Sequence, residues 1–254
     1  MRWLPRSRVI RVLFGLIGLI AVGFVVVWQI AGSSEPVTDK QALATFNAAP
    51  AGTIPAGGPA PGVYRYTATG TERGGAGPLA ITRDVPKAAR LVVTPQGRGW
   101  EAELAYSRQH VESARYEPRD GAIVITWRRT EVTFAGFGRD DRRLVDPPSV
   151  FLPAQAAPGA TWNETYRTGD ITVHSRNRIE RSESVIVDGA SVGALVLVSD
   201  STTTGAHPGR RTDTIWWAPA LGLPVRWDVD MDIGGVFAFR ARTRLALVSA
   251  IAAT

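Results

Sequence analysis

The chain has 254 residues, a formal net charge of +6 from 29 basic and 23 acidic side chains, and no cysteine. Without cysteine, disulfides, thiolate metal sites and cysteine nucleophiles are excluded, so a hydrophobic core must stabilise an exported domain alone. Four of the basic side chains lie in residues 1–31, which leaves 25 basic against 23 acidic side chains in the remainder. This near balance provides no basic face, and nucleic-acid binding is not expected.

An uncharged apolar run at 12–31 dominates the N-terminal region. At about 1.5 Å per residue, a helix of this length spans the roughly 30 Å hydrocarbon core of a bilayer. Trp3 and Trp28 flank the run, and four arginines precede it while none closely follows, which places the N-terminus in the cytoplasm. We predict a cytoplasmic segment at 1–11, a signal anchor at 12–31 and an extracytoplasmic remainder of a single-pass plasma-membrane protein. A cleaved signal peptide is the alternative.

The segment 32–61 has the composition of a linker. Its first part predicts a short helix at 38–49, capped by Thr38 or Asp39. Its second part, 50–62, is rich in Pro, Gly and Ala, which disfavours helix and strand. A flexible chain of about 30 residues spans roughly 30 Å. We therefore expect the following domain to stand clear of the membrane.

From residue 62 onward, short alternating runs are separated by Gly, Pro and Asp. Strands are predicted at 62–69, 88–94, 99–106, 110–116, 122–136, 162–168, 170–187, 192–204, 211–219, 223–232 and 236–250. The polar stretch 139–150 is predicted to be a loop. No segment after residue 50 has a sustained helical period, so we predict an all-β domain at 62–254. Clean alternation in several strands indicates a single curved antiparallel sheet, a half-barrel that follows the N-terminal transmembrane helix.

Turn motifs in the second half of the domain carry a family resemblance over roughly 150–232. The motif residues are Pro158, Gly159, Trp162, Val185, Val187, Gly189 and the segment 217–223, which reads WAPALGL. Their order resembles exported bacterial domains of the lipoprotein-carrier (LolA-like) and mycobacterial lipoprotein superfamily. The resemblance implies an antiparallel half-barrel and, as in some relatives, acyl chains bound in the concave face. Unlike those relatives, this sequence predicts no helices to cover the concavity.

One motif matches a hydrolase pattern. Residues 189–193 read Gly-Ala-Ser-Val-Gly, the G-x-S-x-G form of a nucleophile elbow, and Asp200 and His207 follow in the expected chain order. The elbow requires a helix after the serine, whereas the residues after Ser191 predict a strand. A β-turn is therefore the favoured interpretation, and catalysis by Ser191 is a minor alternative.

The last two predicted strands carry complementary charges. Asp228, Asp230 and Asp232 resemble the start of a calcium loop, but Ile233 and Phe239 stand where such a loop needs Gly and Glu. Alternate residues of a strand share a face, so we predict cross-strand ion pairs with arginines of the last strand. An odd-length loop at 234–236 gives a definite register. The expected opposite residues are Asp230 with Arg240, Asp228 with Arg242, and Arg226 with Arg244.

The remaining candidates concern ligand binding. The three histidines, His110, His174 and His207, lie in separate predicted strands or turns and indicate no metal site. Adjacent residues of a strand point to opposite faces, so one of two neighbouring tryptophans is expected to be exposed. The predicted ligand-binding residues are Trp216, Trp217 and Trp227.

The leading functional prediction is a non-catalytic protein of the cell envelope with a structural, adaptor or ligand-binding role. A lipid or lipoprotein carrier or sensor is the alternative, and a Ser191-dependent hydrolase is third. No cofactor is predicted; the expected partners are the membrane and a lipid or envelope protein. We expect the concavity to be filled by the chain's own residues, namely Leu43 and Phe46 of the predicted helix or the tail 245–251, leaving at most a shallow cleft.

Overall fold

The computed structural model describes residues 33–75, 77, 80–134 and 137–254. The predicted anchor at 12–31 lies outside these residues. Across the described ranges, no helix combines the length and the apolarity that crossing a bilayer requires.

The described residues form one short helix and thirteen strands in an all-β fold. The helix is α1 (Asp39–Asn47). The strands are β1 (Gly62–Gly75), β2 (Ile81–Asp84), β3 (Ala88–Gln96), β4 (Gly99–Ser107), β5 (His110–Arg119), β6 (Ala122–Phe134), β7 (Phe137–Leu152), β8 (Thr161–Thr168), β9 (Ile171–Val187), β10 (Ala190–Gly205), β11 (Gly209–Ala218), β12 (Leu223–Ile233) and β13 (Ala238–Leu247). Neighbouring strands of the sheet pair antiparallel, which confirms the predicted fold class.

The sheet closes on itself, so the predicted half-barrel is wrong. β1 pairs with β3 through residues 62–67 and with β13 through residues 66–75. Short β2 continues the edge of β3 along β1, and the other described strands follow in chain order. The result is a closed barrel of twelve strands. Closure pairs the first strand with the last, a contact between distant parts of the chain that local alternation does not reveal.

Alternation along the strands separates an inner face from an outer face. In β13, buried and exposed residues alternate from Phe239 to Leu247. Tyr64 and Tyr66 of β1 share a buried cluster with Trp100 and Leu104 of β4. A barrel of twelve strands is wider than its own side chains can fill, in contrast to one of about eight strands. Space inside the barrel is therefore expected.

The predicted loop at 139–150 is wrong, because these residues belong to β7. Arg139 lies opposite Val132 of β6 and Arg143 lies opposite Arg128. Charged residues occupy positions on both faces of this strand, so its sequence lacks the apolar alternation that marked the others. The polar composition of this segment therefore led to the prediction of a loop.

The N-terminal segment packs on the outside of the barrel. The predicted helix is confirmed with Thr38 as its N-cap, since Thr38 Oγ1 accepts a hydrogen bond from the Gln41 backbone at 3.3 Å. Buried Ala42 packs against Val63 and Val92. The residues next to these in their strands, Tyr64 and Leu91, belong to the interior cluster, so Val63 and Val92 face outward. The prediction that this helix fills the interior is wrong.

The first part of the predicted linker contacts the barrel through two acidic residues. Asp39 forms ion pairs with Arg90 at 2.6 Å and with Arg65 at 2.8 Å, both on the outer face. Glu35 pairs with Arg108 at 2.5 Å. These ion pairs therefore hold residues 35 and 39 against the outside of the barrel.

The last hairpin confirms the odd-length loop but not its exact register. Asp228, Asp230 and Asp232 lie opposite Arg244, Arg242 and Arg240, with ion-pair distances of 3.6, 3.1 and 2.8 Å. Residues 234–238 separate the paired ends, so the predicted three-residue loop is too short by two. The longer loop also prevents the predicted Arg226–Arg244 contact, because Arg226 lies opposite Ala246.

Closure depends on a close approach of β1 to β13 at Gly70. Its φ is +137°, and a Cβ there would lie 1.9 Å from the carbonyl oxygen of Arg242. We expect Gly70→Ala to lower the free energy of unfolding by about 3 kcal/mol, because the methyl group strains the backbone and separates the strands. Urea denaturation followed by tryptophan fluorescence measures the change.

Gly193→Ala on β10 is the matched control, since a Cβ there meets no atom within 4 Å. We expect it to change the free energy of unfolding by less than about 0.5 kcal/mol. Equal destabilisation by the two variants would contradict a special role for the β1–β13 contact.

Candidate functional site

An ion pair crosses the interior of the barrel. Glu112 lies on β5 and Arg211 on β11, and five strands separate them in either direction around the barrel. The Nη1 and Nη2 atoms of Arg211 donate to the two carboxylate oxygens of Glu112 at 2.9 and 3.0 Å. Such two-point contacts are the strongest form of charge-assisted hydrogen bond. The pair joins opposite walls.

Further buried charges continue from both ends of this pair. Arg211 also donates to Asp213 at 2.8 and 3.0 Å, and Asp213 accepts from the Trp227 indole at 2.8 Å. On the other side, the Nε2 of His110 lies 3.4 Å from Glu112. We call the connected set the interior charge chain. Its members are Arg83, Glu72, His110, Glu112, Arg211 and Asp213.

His110 is the titratable centre of the interior charge chain. Its Nδ1 lies 2.5 Å from Glu72, which also accepts from Arg83 Nε at 2.9 Å. Burial favours the neutral imidazole, but Glu72 and Glu112 outweigh it and raise the pKa of His110 to about 9. Burial likewise opposes ionisation of Glu72, yet His110 and Arg83 hold its pKa below the usual range. His110 is therefore protonated at neutral pH.

The charges of the interior charge chain cancel. With His110 protonated, it holds three cations and three anions, and each carboxylate lies within ion-pair distance of a cation. Ionised groups that are buried must be paired or they cost several kcal/mol each. This cluster thus satisfies itself and has no charge left for a ligand.

Arg128 of β6 is the exception inside the barrel. It shares the inner face with Ala114, its partner on β5. Among the residues that the structure describes, its guanidinium has no ion-pair or hydrogen-bond partner, and its Nε is buried without an acceptor. Arg211, which lines the same cavity, already pairs with two carboxylates. Arg128 is therefore a cation without a direct polar partner among the described residues.

Glu164 of β8 does not neutralise Arg128. Its carboxylate accepts hydrogen bonds from Ser149 Oγ at 2.9 Å and from the backbone N–H of Val150. Burial raises the pKa of Glu164, and these hydrogen bonds together with the positive charge of Arg128 only partly offset the shift. The Glu164 carboxyl is thus held by its own hydrogen-bond partners and makes no direct contact with Arg128.

Two cavities meet at Arg128. Their volumes are about 80 Å³ and about 200 Å³. The first is mainly apolar, and the second adds polar groups of β9 and β10. Both are lined by Tyr116, Arg128, Phe151, Arg211, Ile215 and Trp227. As expected, Leu245 and Leu247 of the predicted tail are buried in the interior, and these cavities remain beside the packed side chains.

The structure brings together two of the three predicted binding tryptophans. Trp227 lines both cavities, and Trp217 lines the first, where Phe151 contacts it edge-on with ring centroids 5.0 Å apart. Trp216 lines neither cavity. Its indole donates to Glu183, and the Arg226 guanidinium lies 4.2 Å from its ring centroid.

The other candidate residues lie apart. Ser191 begins β10 and His207 follows its end, so a strand of 16 residues, roughly 50 Å long, separates them. No catalytic pair of these two residues is formed. His174 is exposed on the outer face, where its Nδ1 lies 3.0 Å from the Thr165 hydroxyl. It is therefore separate from His110, which is buried in the interior. Within the described part of the chain, no group of three metal-ligating side chains occurs.

Sequence reasoning missed Arg128 and the interior charge chain. A usable signal exists in β5, where period two places His110, Glu112, Ala114 and Tyr116 on one face. A charged residue between apolar residues of one face indicates either a solvated face or a buried ion pair. Only the distant partner, Arg211 on β11, distinguishes the two.

Comparison of the chain with models of protein families, with curated proteins and with solved structures gives no match. Functional interpretation therefore rests on the residues of the barrel itself.

The pKa of His110 predicts a pH-dependent stability. A histidine whose pKa rises from 6.5 to about 9 on folding contributes stability that is complete below pH 6.5 and is lost as the pH passes 9. We expect the free energy of unfolding to fall over this window by up to about 3 kcal/mol. In His110→Gln that component of the fall should be absent. Urea titrations at a series of pH values measure both proteins.

His174→Gln is the control, because this exposed histidine has no buried carboxylate beside it. It should keep the wild-type pH profile. A wild-type profile in His110→Gln as well would show that the histidinium makes no net contribution to folding.

Proposed function

We propose that this protein is a membrane-anchored, non-catalytic binding protein of the cell envelope. Its closed barrel holds a small amphiphile, with the anionic group of the ligand at Arg128. The observation that carries the proposal is the unpaired guanidinium of Arg128 at the junction of two cavities.

The charge of Arg128 supports an anionic ligand. An unpaired ionised group in a poorly hydrated site is unfavourable, and a carboxylate or phosphate beside it restores charge balance with charge-assisted hydrogen bonds. The neighbouring Glu112 and Asp213 form their ion pairs with Arg211, and neither contacts Arg128 directly. A single anionic group is the matching chemistry.

The surrounding walls support an apolar body for the ligand. Leu91, Leu104, Trp100, Phe151 and Trp217 line the first cavity. Ligand sites in proteins are mostly apolar, with a few polar groups that fix orientation. An acyl chain in the apolar cavity with its carboxylate at Arg128 satisfies both features.

The placement outside the cytoplasm and the single N-terminal span rest on the arginine distribution and the apolar run at 12–31. An anchored barrel that binds an amphiphile suits a lipid carrier or sensor, the alternative predicted from the sequence. The cavities favour this role over a purely structural one, since a structural barrel has no use for an unpaired interior cation.

The proposal is tested with laurate as the ligand and residues 33–254 as the protein. We expect Arg128→Met to weaken laurate binding by about tenfold or more, because one charge-assisted interaction of roughly 1.5–3 kcal/mol is lost. Binding of dodecanol, which lacks the charge, should be equal in the two proteins. Isothermal titration calorimetry measures all four affinities.

Arg242→Met is the matched control. Arg242 lies on the exposed face and pairs only with Asp230, so its loss should leave laurate binding unchanged. Equal weakening by the two substitutions, or no binding of laurate by the wild-type protein, would contradict the proposal.

A further inference from the structure

The two ends of the barrel differ. We call the end with the turns 108–109, 169–170, 206–208 and 234–237 the anchor-side rim, and the end with the turns 97–98, 120–121, 188–189 and 219–222 the far end. Antiparallel strands in chain order alternate between these two ends.

The chain enters the barrel at the anchor-side rim. The Ser34 hydroxyl donates to the backbone carbonyl of Asp84 at 2.5 Å. The Glu35 backbone N–H donates to the Gln109 side chain at 3.0 Å, and the Glu35 carboxylate pairs with Arg108 at 2.5 Å. These contacts fix residues 34 and 35 beside the turn 108–109. The first described residues therefore have a defined place on the barrel.

The position of Ser34 limits how far the barrel is from the predicted anchor. The apolar run ends at Ala31, and three residues span at most about 11 Å. If the run crosses a bilayer, the anchor-side rim lies at the membrane surface. The inference thus rests on the anchor of the proposed function, and it replaces the expectation of a domain held clear by a linker.

The anchor-side rim presents apolar residues to that surface. Val236 in the turn 234–237 is 93 % exposed, and neighbouring Phe237 is partly buried at the mouth of a cavity. Nearby on the outer face, Arg73 and Arg210 are exposed and form no ion pair with any described residue. An apolar loop tip with cations around it suits an interface of acyl chains and anionic headgroups.

The far end is closed by the chain itself. Ile54 and Trp100 lie against Gly58, and Pro59 lies so close to Gly222 that a Cβ there would meet its backbone nitrogen at 2.6 Å. The segment 54–60 therefore covers this end. A third cavity at the anchor-side rim, lined by Phe237 and His207, shares Ile171, Thr203 and Ile233 with the second cavity. The third cavity thus adjoins the second cavity, which Arg128 lines.

We infer that the anchor-side rim docks on the bilayer surface, with Val236 and Phe237 inserted among the lipids. The occupant of this surface is the membrane that holds the anchor. Docking places the open end of the cavities at the lipid, so an amphiphile enters the barrel from the bilayer without crossing water.

The test uses the full chain in vesicles of phosphatidylcholine with phosphatidylglycerol. The chain has no cysteine, so Val236→Cys provides a unique site for an environment-sensitive fluorophore. Ile186→Cys is the matched control, since Ile186 is an apolar residue 68 % exposed near the far end. We expect lipids with a spin-labelled acyl chain to quench the label at 236 by roughly twofold, and to leave the label at 186 unquenched.

Quenching at 186 equal to or stronger than that at 236, or no quenching at 236, would overturn docking. Carbonate extraction of the same vesicles tells the causes apart. If the protein resists carbonate extraction but its label at 236 is not quenched, it is anchored without docking. If carbonate extracts the protein, it has no anchor, and the docking inference fails together with the anchor. Laurate binding by residues 33–254 is measured without a membrane, so its outcome is independent of both.

Discussion

The ion pair between Glu112 and Arg211 holds the two walls of the barrel at a fixed distance across its interior. A sheet of twelve strands closed by β1 and β13 encloses more space than its side chains fill. Ions in such a space remain buried only when their charges are matched, and Arg211 meets this condition by binding two carboxylates at once. Histidine 110 extends the matching to Glu72 and Arg83. The interior is consequently divided into a self-compensated region and the cavities beside it.

The same rule of compensation isolates Arg128. Every carboxylate of the interior charge chain has its cation, and Glu164 is held by Ser149 and Val150, so the Arg128 guanidinium has no direct polar partner in the part of the chain that the structure describes. Stability alone does not favour such a residue, since an apolar side chain of similar volume would fill the cavities without a desolvation cost. A site that is unfavourable when empty and balanced when an anion enters is the physical pattern of a binding site. The two ends of the barrel also differ. The segment 54–60 covers the far end, and the chain enters beside the anchor-side rim.

The features that were predicted correctly from the sequence are those that local interactions determine. The alternation of Phe239 to Leu247, the capping of α1 by Thr38, and the pairing of aspartates with arginines in the last hairpin all depend on neighbours in the chain or in a hairpin. Three features depended on distant residues instead. Closure needs β1 against β13, burial of Glu112 needs Arg211, and β7 is a strand although its charges hide the period. The loop of the last hairpin was two residues longer than predicted, because alternation fixes the parity of a register and not its absolute value.

The position of a bound anion inside the barrel is the most direct test of the role of Arg128. A crystal structure of residues 33–254 grown with laurate locates the anionic group itself. The account predicts electron density for the acyl chain between Phe151 and Trp217, with the laurate carboxylate within hydrogen-bond distance of the Arg128 guanidinium. Density that places the carboxylate elsewhere, with Arg128 turned to pair with Glu164 or Asp213, would contradict it.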